Sequence, residues 1–273
     1  KPELAVIIGR TTLSRATNSY IQIAERTVVI DPRTSNIDTA RSATEILHSI
    51  PKVKNSASRD ENWLSEWKKF EALAMQALET YPAWSEGALA SIVAADLEND
   101  SALFIASSRP IRDLEAFATP RADVITYANR GLAGIDGNIS TALGIASHHD
   151  ETYAIIGDLA FLHDISALAN PTKDVLTIIV VDNNGGGIFS TLPQRGVTGF
   201  EKVFGTPHNQ DLAKIVAGFG ISHEIVTNPK ELHIALQRIH PNIHVIIAKM
   251  PDREANADAL KDALTKYKEL VIL

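Results

Sequence analysis

The sequence predicts a doubly wound parallel α/β fold, and three observations carry that expectation. Apolar runs of strand length recur along the chain. They are nearly continuous in Val and Ile, as strands buried on both faces are, and helix-length amphipathic segments separate them. Alternation of this kind places helices on both faces of a mostly parallel sheet.

Taken in order, Leu4–Gly9 is the first strand, reached three residues after Lys1, and it reads as a buried strand entered mid-domain. Val28–Asp31 is the second. Trp63–Thr80 is an amphipathic helix, and the polar-sided stretch to Trp84 breaks at Tyr81-Pro82, which puts a domain boundary near residue 84. Two strands rarely make an independently stable domain. Residues 1–83 are therefore expected to be the tail of an α/β middle domain plus a linker helix, its front lying outside these residues. Residues 84–273 form the second domain. There Glu86–Glu98, Gly137–Ser147 and Gln210–Gly218 read as helices. Leu103–Ser107, Val124–Tyr127, Tyr153–Asp158, Val175–Asp182 and Ile243–Ala248 read as strands. Asn228-Pro229 followed by Glu231 is an N-cap with Pro at the first helical position.

Composition narrows the function classes. The 273 residues suffice for one large domain or two ordinary ones, and 45% hydrophobic content supplies a sizeable core. A net charge of −7 argues against nucleic acid or an anionic membrane as the main partner. No cysteine is present, which excludes disulfides, thiolate metal sites and cysteine nucleophiles. No apolar run approaches the length of a membrane span and no signal segment opens the chain, so a soluble cytoplasmic protein is expected.

Ligands of open parallel sheets bind beyond the carboxyl ends of the strands. Two such ends stand out. One strand closes on Gly157-Asp158, with a helix beginning near Leu159. The next closes on Asp182 and runs into Asn183-Asn184-Gly185-Gly186-Gly187. About one helix and one strand separate Asp158 from Asn183, so the two ends should be neighbours. A carboxylate, an amide oxygen and a glycine carbonyl are hard oxygen donors of the kind Mg²⁺ takes jointly with phosphate oxygens. The helix start after Asp158 adds free N–H groups for a diphosphate, and the glycines let backbone approach the anion. Either feature alone is an ordinary turn; together, at consecutive strand ends, they point to a metal–diphosphate site.

Three motifs then carry a resemblance. Gly157-Asp-Leu-Ala-Phe-Leu-His-Asp164, Asn184-Gly-Gly-Gly-Ile-Phe-Ser-Thr-Leu-Pro193 and Tyr127-Ala-Asn-Arg-Gly-Leu-Ala-Gly-Ile-Asp-Gly137 stand in order. With Asn-Asn one βαβ step after Gly-Asp, they resemble thiamine-diphosphate (ThDP) enzymes. Among these they look like the 2-succinyl-5-enolpyruvyl-6-hydroxy-3-cyclohexene-1-carboxylate (SEPHCHC) synthases of menaquinone biosynthesis. The resemblance runs from Leu4 onward and is strongest over Ser107–Pro193. Leu159 stands where the wider superfamily has Gly, and Asp182 where the family usually has Asn.

The resemblance implies roles residue by residue. Asp158, Asn183 (with Asn184 as the alternative) and the Gly185 carbonyl would hold Mg²⁺, or Mn²⁺ in its place. Gly157, Leu159 and Ala160 would flank the diphosphate, and the Ser107-Ser108-Arg109 loop would meet it. Gly134 would present a carbonyl to the aminopyrimidine, Ile135 would wedge beneath the bent cofactor, and Ile188 would complete the cofactor pocket. Plain core packing is the other reading of Ile135. Arg112 and Arg130 would bind the dicarboxylates 2-oxoglutarate and isochorismate, which suit the planar guanidinium fork. Ile188, Phe189 and Leu192 would line an apolar wall, and Arg15 would add a basic group. His148, His149 and His163 are expected to be packed or solvated. The implied reaction decarboxylates 2-oxoglutarate and joins the remaining succinyl-semialdehyde unit to isochorismate. The implied enzyme is a homodimer or tetramer whose activating Glu comes from a pyrimidine-binding domain of the partner subunit. No catalytic residue is thus expected in this chain, which would be silent alone. Two other readings stand beside this one: a different ThDP-dependent decarboxylase or acetolactate-synthase-like enzyme, and a non-catalytic Mg–phosphate-binding module.

Overall fold

Val, Ile and Leu runs become parallel strands in two separate sheets. The computed structural model describes residues 1–11, 13–34, 38, 40–52, 61–129, 133–170 and 172–272, which fall into two compact units, 1–65 and 66–273.

In the first unit β1 (Leu4–Ile8), β2 (Arg26–Ile30) and β3 (Glu45–Leu47) pair in parallel in the order β1-β2-β3. Helix α1 (Arg15–Gln22) connects the first two, and Ser14 caps it by accepting a hydrogen bond from the Thr17 N–H at 3.2 Å. The central strand carries the buried residues Val28, Val29 and Ile30. β1 is not the doubly buried strand its sequence suggests. Leu4, Val6 and Ile8 are 50%, 52% and 66% exposed, because β1 is an edge strand and its alternate residues face outward. β3 is a third strand beyond the two expected, and three residues are too few to show a pattern. Helix α2 (Glu61–Leu78) leads into the second unit.

The second unit holds β4 (Ala102–Ile105), β5 (Ile125–Ala128), β6 (Thr152–Gly157), β7 (Leu176–Asp182), β8 (Ser222–Val226) and β9 (Ile243–Lys249). They form one all-parallel sheet in the order β5-β4-β6-β7-β9-β8. Side chains alternate across it, so each strand feeds two cores. Ile155, Ile179, Val181 and Ile246 pack on one face against α3 (Glu86–Asp96), α4 (Arg109–Phe117) and α8 (Pro229–Leu236), through Leu89, Val93, Leu114 and Leu232. Ile156, Ile178, Val180 and Val245 pack on the other against α5 (Asn138–Ala146), α6 (Asp158–His163) and α7 (Leu212–Gly218), through Ile139, Phe161, Leu212 and Val216. Each of these side chains, fully buried, contributes roughly 1.5–3 kcal/mol. The chain ends in α9 (Arg253–Ile272). Among the described residues no helix is long and apolar enough to cross a membrane.

Doubly wound topology places the site. From β4 the chain lays β5 on one side and β6 on the other, so the winding direction reverses between β4 and β6. The connections splay apart there and open a crevice at the carboxyl ends of the two strands. Three elements of this unit lie outside the sequence reading. β8 (Ser-His-Glu-Ile-Val) is a mostly polar edge strand, α4 opens on Arg109-Pro110, and α9 is polar over most of its length.

Candidate functional site

A cavity of about 490 Å³ occupies the crevice. Its walls come from four connections. Ser107, Ser108 and Arg112 stand at the β4–α4 turn, Gly134 and Ile135 ahead of α5, Gly157 through Ala160 at the β6–α6 turn, and Asn183 with Gly185–Phe189 after β7. The structure thus brings most of the sequence-selected residues to one place. Leu192 is not among the lining residues; it caps the short 3₁₀ turn Gly187–Thr191. Arg15 is the first residue of α1 in the other unit. Arg130 lies outside the described residues.

Asp158 is 2% exposed, and both its oxygens accept N–H groups: Oδ1 from Leu159 at 2.6 Å, Oδ2 from Gly185 at 2.8 Å. The second bond joins the two neighbouring strand ends, as their parallel pairing in register Gly157 to Val181 allows. The left-handed backbone of Asn184 (φ 62°) and the φ of 137° at Gly185 turn the loop back toward Asp158. A Cβ on Gly185 would sit 2.2 Å from the Gly205 carbonyl oxygen, and one on Gly186 would sit 2.3 Å from that of Phe204, so the chain can pass here only as glycine. The Gly185 carbonyl accepts from the Gly187 N–H at 2.9 Å.

The two asparagines differ in what holds them. Asn184 Nδ2 donates to Asn209 Oδ1 at 3.0 Å, and Asn184 Oδ1 accepts the Asn209 N–H at 2.8 Å, so its amide is fully used in bracing the loop. Asn183 Nδ2 donates to Glu86 Oε1 at 2.6 Å, whereas Asn183 Oδ1 is buried and accepts no hydrogen bond among the described residues. An uncompensated buried oxygen costs free energy unless something else satisfies it. Together with the Asp158 carboxylate it makes a hard-oxygen donor set that fits a cation of the Mg²⁺ type.

Behind Asn183 stands a buried charge cluster that the sequence reading missed. Glu86 Oε2 accepts from Arg109 Nε at 3.1 Å, and Arg109 Nη2 donates to Asp113 Oδ1 at 2.5 Å. Glu86 is further fixed by its own N–H, which donates to Asn256 Oδ1 at 2.9 Å. Two carboxyls share one guanidinium. Burial pushes the Asp113 carboxyl up to about 7; Arg109 opposes the shift and Glu86 adds to it. Arg112 donates from Nη1 to the Ser108 carbonyl at 2.7 Å, next to the strained Ser108 backbone (φ 76°).

A second missed group faces Asp158 from the loop before α7. His208 Nε2 lies 3.2 Å from Asp158 Oδ2 and 3.6 Å from Asp182 Oδ1. The bond to Asp158 raises the imidazole pKa, burial lowers it, and both aspartates support the rise. Asp182 Oδ2 in turn accepts from Lys249 Nζ at 2.5 Å. Glu86 carried no sequence signal beyond an acid after the cap residue Ser85, and His208 stood in a polar stretch with no motif around it. Two of the three histidines set aside as packed or solvated have side-chain partners. His149 Nε2 pairs with the Tyr127 hydroxyl at 2.8 Å and His148 Nδ1 with Ser147 Oγ at 2.9 Å, while His163 is exposed.

Comparison with known proteins agrees with this geometry. Residues 115–248 match the family model of the thiamine pyrophosphate enzyme C-terminal TPP binding domain. A SEPHCHC synthase of Thermobifida fusca is 40% identical over 248 residues, covering 86% of this chain and 45% of that protein. One from a Synechococcus species is 35% identical over 286 residues, covering 98% and 47%. One from Lysinibacillus sphaericus is 33% identical over 278 residues, covering 96% and 48%. The chain spans about half the length of the curated relatives it matches. With its carboxyl-edge cavity and its doubly wound α/β sheet, the chain is similar to the TPP-binding domain of thiamine pyrophosphate enzymes over residues 115–248, and to the SEPHCHC synthases over most of its length.

Proposed function

We propose that residues 84–273 are the ThDP diphosphate- and Mg²⁺-binding domain of a SEPHCHC synthase, and that residues 1–83 are the end of its middle domain with a linker helix. The observation that carries this reading is Asn183 Oδ1, buried without a hydrogen-bond partner among the described residues, in the same cavity wall as Asp158. Asp158 and Asn183 supply metal ligands, with the Gly185 carbonyl as the third; the engaged amide of Asn184 favours Asn183 over it. When bound, ThDP supplies the carbon nucleophile and electron sink that decarboxylation of a 2-oxo acid requires.

The protein's own residues bind and orient. Ser107 and Ser108 meet the diphosphate beside the Gly157–Ala160 turn. Gly134 and Ile135 support the ring end of the cofactor, and Ile188 and Phe189 keep water from it. Arg112 and Arg130 take the substrate carboxylates. The reaction is decarboxylation of 2-oxoglutarate and addition of the remaining unit to isochorismate, giving SEPHCHC and CO₂ in menaquinone biosynthesis, in the cytoplasm, by a homodimer or tetramer. These 273 residues alone bind cofactor without turnover. Asp158 is the one acid among the described lining residues, and as the metal ligand it leaves no separate carboxylate in that lining for proton transfer.

Thermal-shift titration tests the reading. A ligand that binds only the folded state raises the melting temperature by mass action. ThDP with Mg²⁺ (or Mn²⁺) is expected to stabilise the wild type and not Asp158→Ala, and ATP with Mg²⁺ is expected to do neither. Equal stabilisation by ATP would replace this reading with a general Mg–phosphate module.

A further inference from the structure

At the opposite end of the sheet from the cofactor cavity lies a second group of ligand-type side chains. Asp182 and Asn183 stand at the carboxyl end of β7, whereas His244 pairs in register with Thr177 near its start. Glu224 and Ser222 share a face of the edge strand β8, and Ser222 is the register partner of His244. His240 sits on the connection between α8 and β9. Glu224 Oε1 lies 3.3 Å from His244 Nε2 and 3.9 Å from His240 Nε2, and all three ligand atoms fall within 4.8 Å of one another.

We propose that Glu224, His240 and His244 form a divalent-cation site, for Zn²⁺ or an ion of similar borderline softness. Two imidazole nitrogens and one carboxylate oxygen are a ligand set such ions take, with solvent completing a four-coordinate shell. Two features of the cluster fit an ion better than a plain hydrogen-bonded group. His240 Nε2 is buried and has no hydrogen-bond partner among the described residues. The His240 and His244 rings stack at 3.5 Å and 6°, which disfavours two adjacent positive charges.

The surroundings supply the outer contacts such sites use. Ser222 Oγ lies 2.9 Å from His244 Nδ1 and sets the orientation of that ring, while Arg238 Nη1 donates to Glu224 Oε2 at 2.9 Å and leaves Oε1 turned inward. Lone pairs of stacked rings run parallel, so ligation requires the rings to splay. The His240 side chain, on a connection and 20% exposed, is the one with room to turn. Binding would clip the α8–β9 connection to the exposed edge of the sheet.

Equilibrium dialysis of the whole chain against Zn²⁺, after chelator treatment, with metal content read by mass spectrometry, tests this. Wild type and Asp158→Ala should each retain about one ion per chain, the complement of one three-ligand site. His240→Ala and Glu224→Gln should lose it, with far-UV circular dichroism showing that they fold. If His240→Ala fails to fold, Glu224→Gln decides. No retention by the wild type, or retention unchanged in the cluster variants, overturns the site. Loss in Asp158→Ala with retention in His240→Ala would also overturn it, by placing the ion among Asp158, Asp182 and His208. Because the cofactor titration uses Mg²⁺ and the other cavity, either result leaves that reading separately testable.

Discussion

At the scale of single residues, the cavity depends on a side chain that never enters it. Glu86 holds the Asn183 amide by its nitrogen and so fixes which atom of that amide remains unpaired. Changes to the groups that orient a metal ligand typically weaken binding 10- to 100-fold. Glu86→Gln is therefore expected to weaken Mg²⁺-dependent ThDP binding about tenfold while the unliganded melting temperature holds; an unchanged affinity would remove Glu86 from the site. Asp113 gives the same cluster a pH signature. Its folded pKa of about 7 lies above the ordinary Asp value of 3.8. Between those values the folded state binds more protons than the unfolded, so this group's contribution is fully present below pH 3.8 and is lost as pH rises through 7. Burial is the main cause. Arg109 and Arg112 pull the other way, while Glu86 opposes them. Asp113→Asn should thus gain on the wild type in denaturant stability across that window, and a difference flat in pH would show Asp113 ionised throughout. Glu86 and His208 were out of reach of sequence reading for a physical reason. Glu86 lies 97 residues from Asn183 and His208 50 from Asp158, and only the folded sheet brings them together.

At the scale of elements, the site is made by loops whose conformations tolerate few residues. Gly185→Ala places a Cβ 2.2 Å from a backbone carbonyl at a φ of 137°, and neither can yield without moving the 201–205 turn. A loss of roughly 2–3 kcal/mol follows from backbone strain of this kind, and ThDP binding should go with it, because the Gly185 N–H leaves Asp158. Asn228→Ala makes the contrast. It removes the cap of α8, whose Oδ1 accepts the Glu231 N–H at 3.0 Å. About 1 kcal/mol should be lost with cofactor binding intact. Equal effects of both variants on binding would mean that the Gly185 loop does not form the site. The central elements were legible because β6 and β7 are buried on both faces and so are apolar over most of their length. β8 was not, since as an edge strand it exposes one face and carries Ser222, His223 and Glu224. β1 misled in the opposite direction. Leu4, Val6 and Ile8 are apolar yet exposed, and no pattern in a single sequence separates that case from burial.

At the scale of the whole molecule, the lining residues run from Ser107 to Phe189 and so belong entirely to the unit 66–273. The motifs that carried the family resemblance fall in the same unit, which explains why the fold and the cavity could be anticipated together. The strands there alternate with helices, and the segments after β4, β5, β6 and β7 supply the walls of the crevice. The unit 1–65 offers no such chain of inference. Its short β3 and its exposed β1 say little about a ligand, and Arg15 was tied to the site by resemblance alone. Hydrogen exchange on the full chain separates the two units directly. Binding slows local opening where the ligand is held and leaves unlinked segments at their own opening free energies. ThDP with Mg²⁺ should therefore raise protection at the amides of Leu159, Ala160 and Gly185–Phe189, and at the β4–α4 turn. The amides of β1 to β3 should stay at their unliganded rates. If Arg15 and the strands around it gain as much protection as the Gly185 loop, the binding surface extends beyond the crevice.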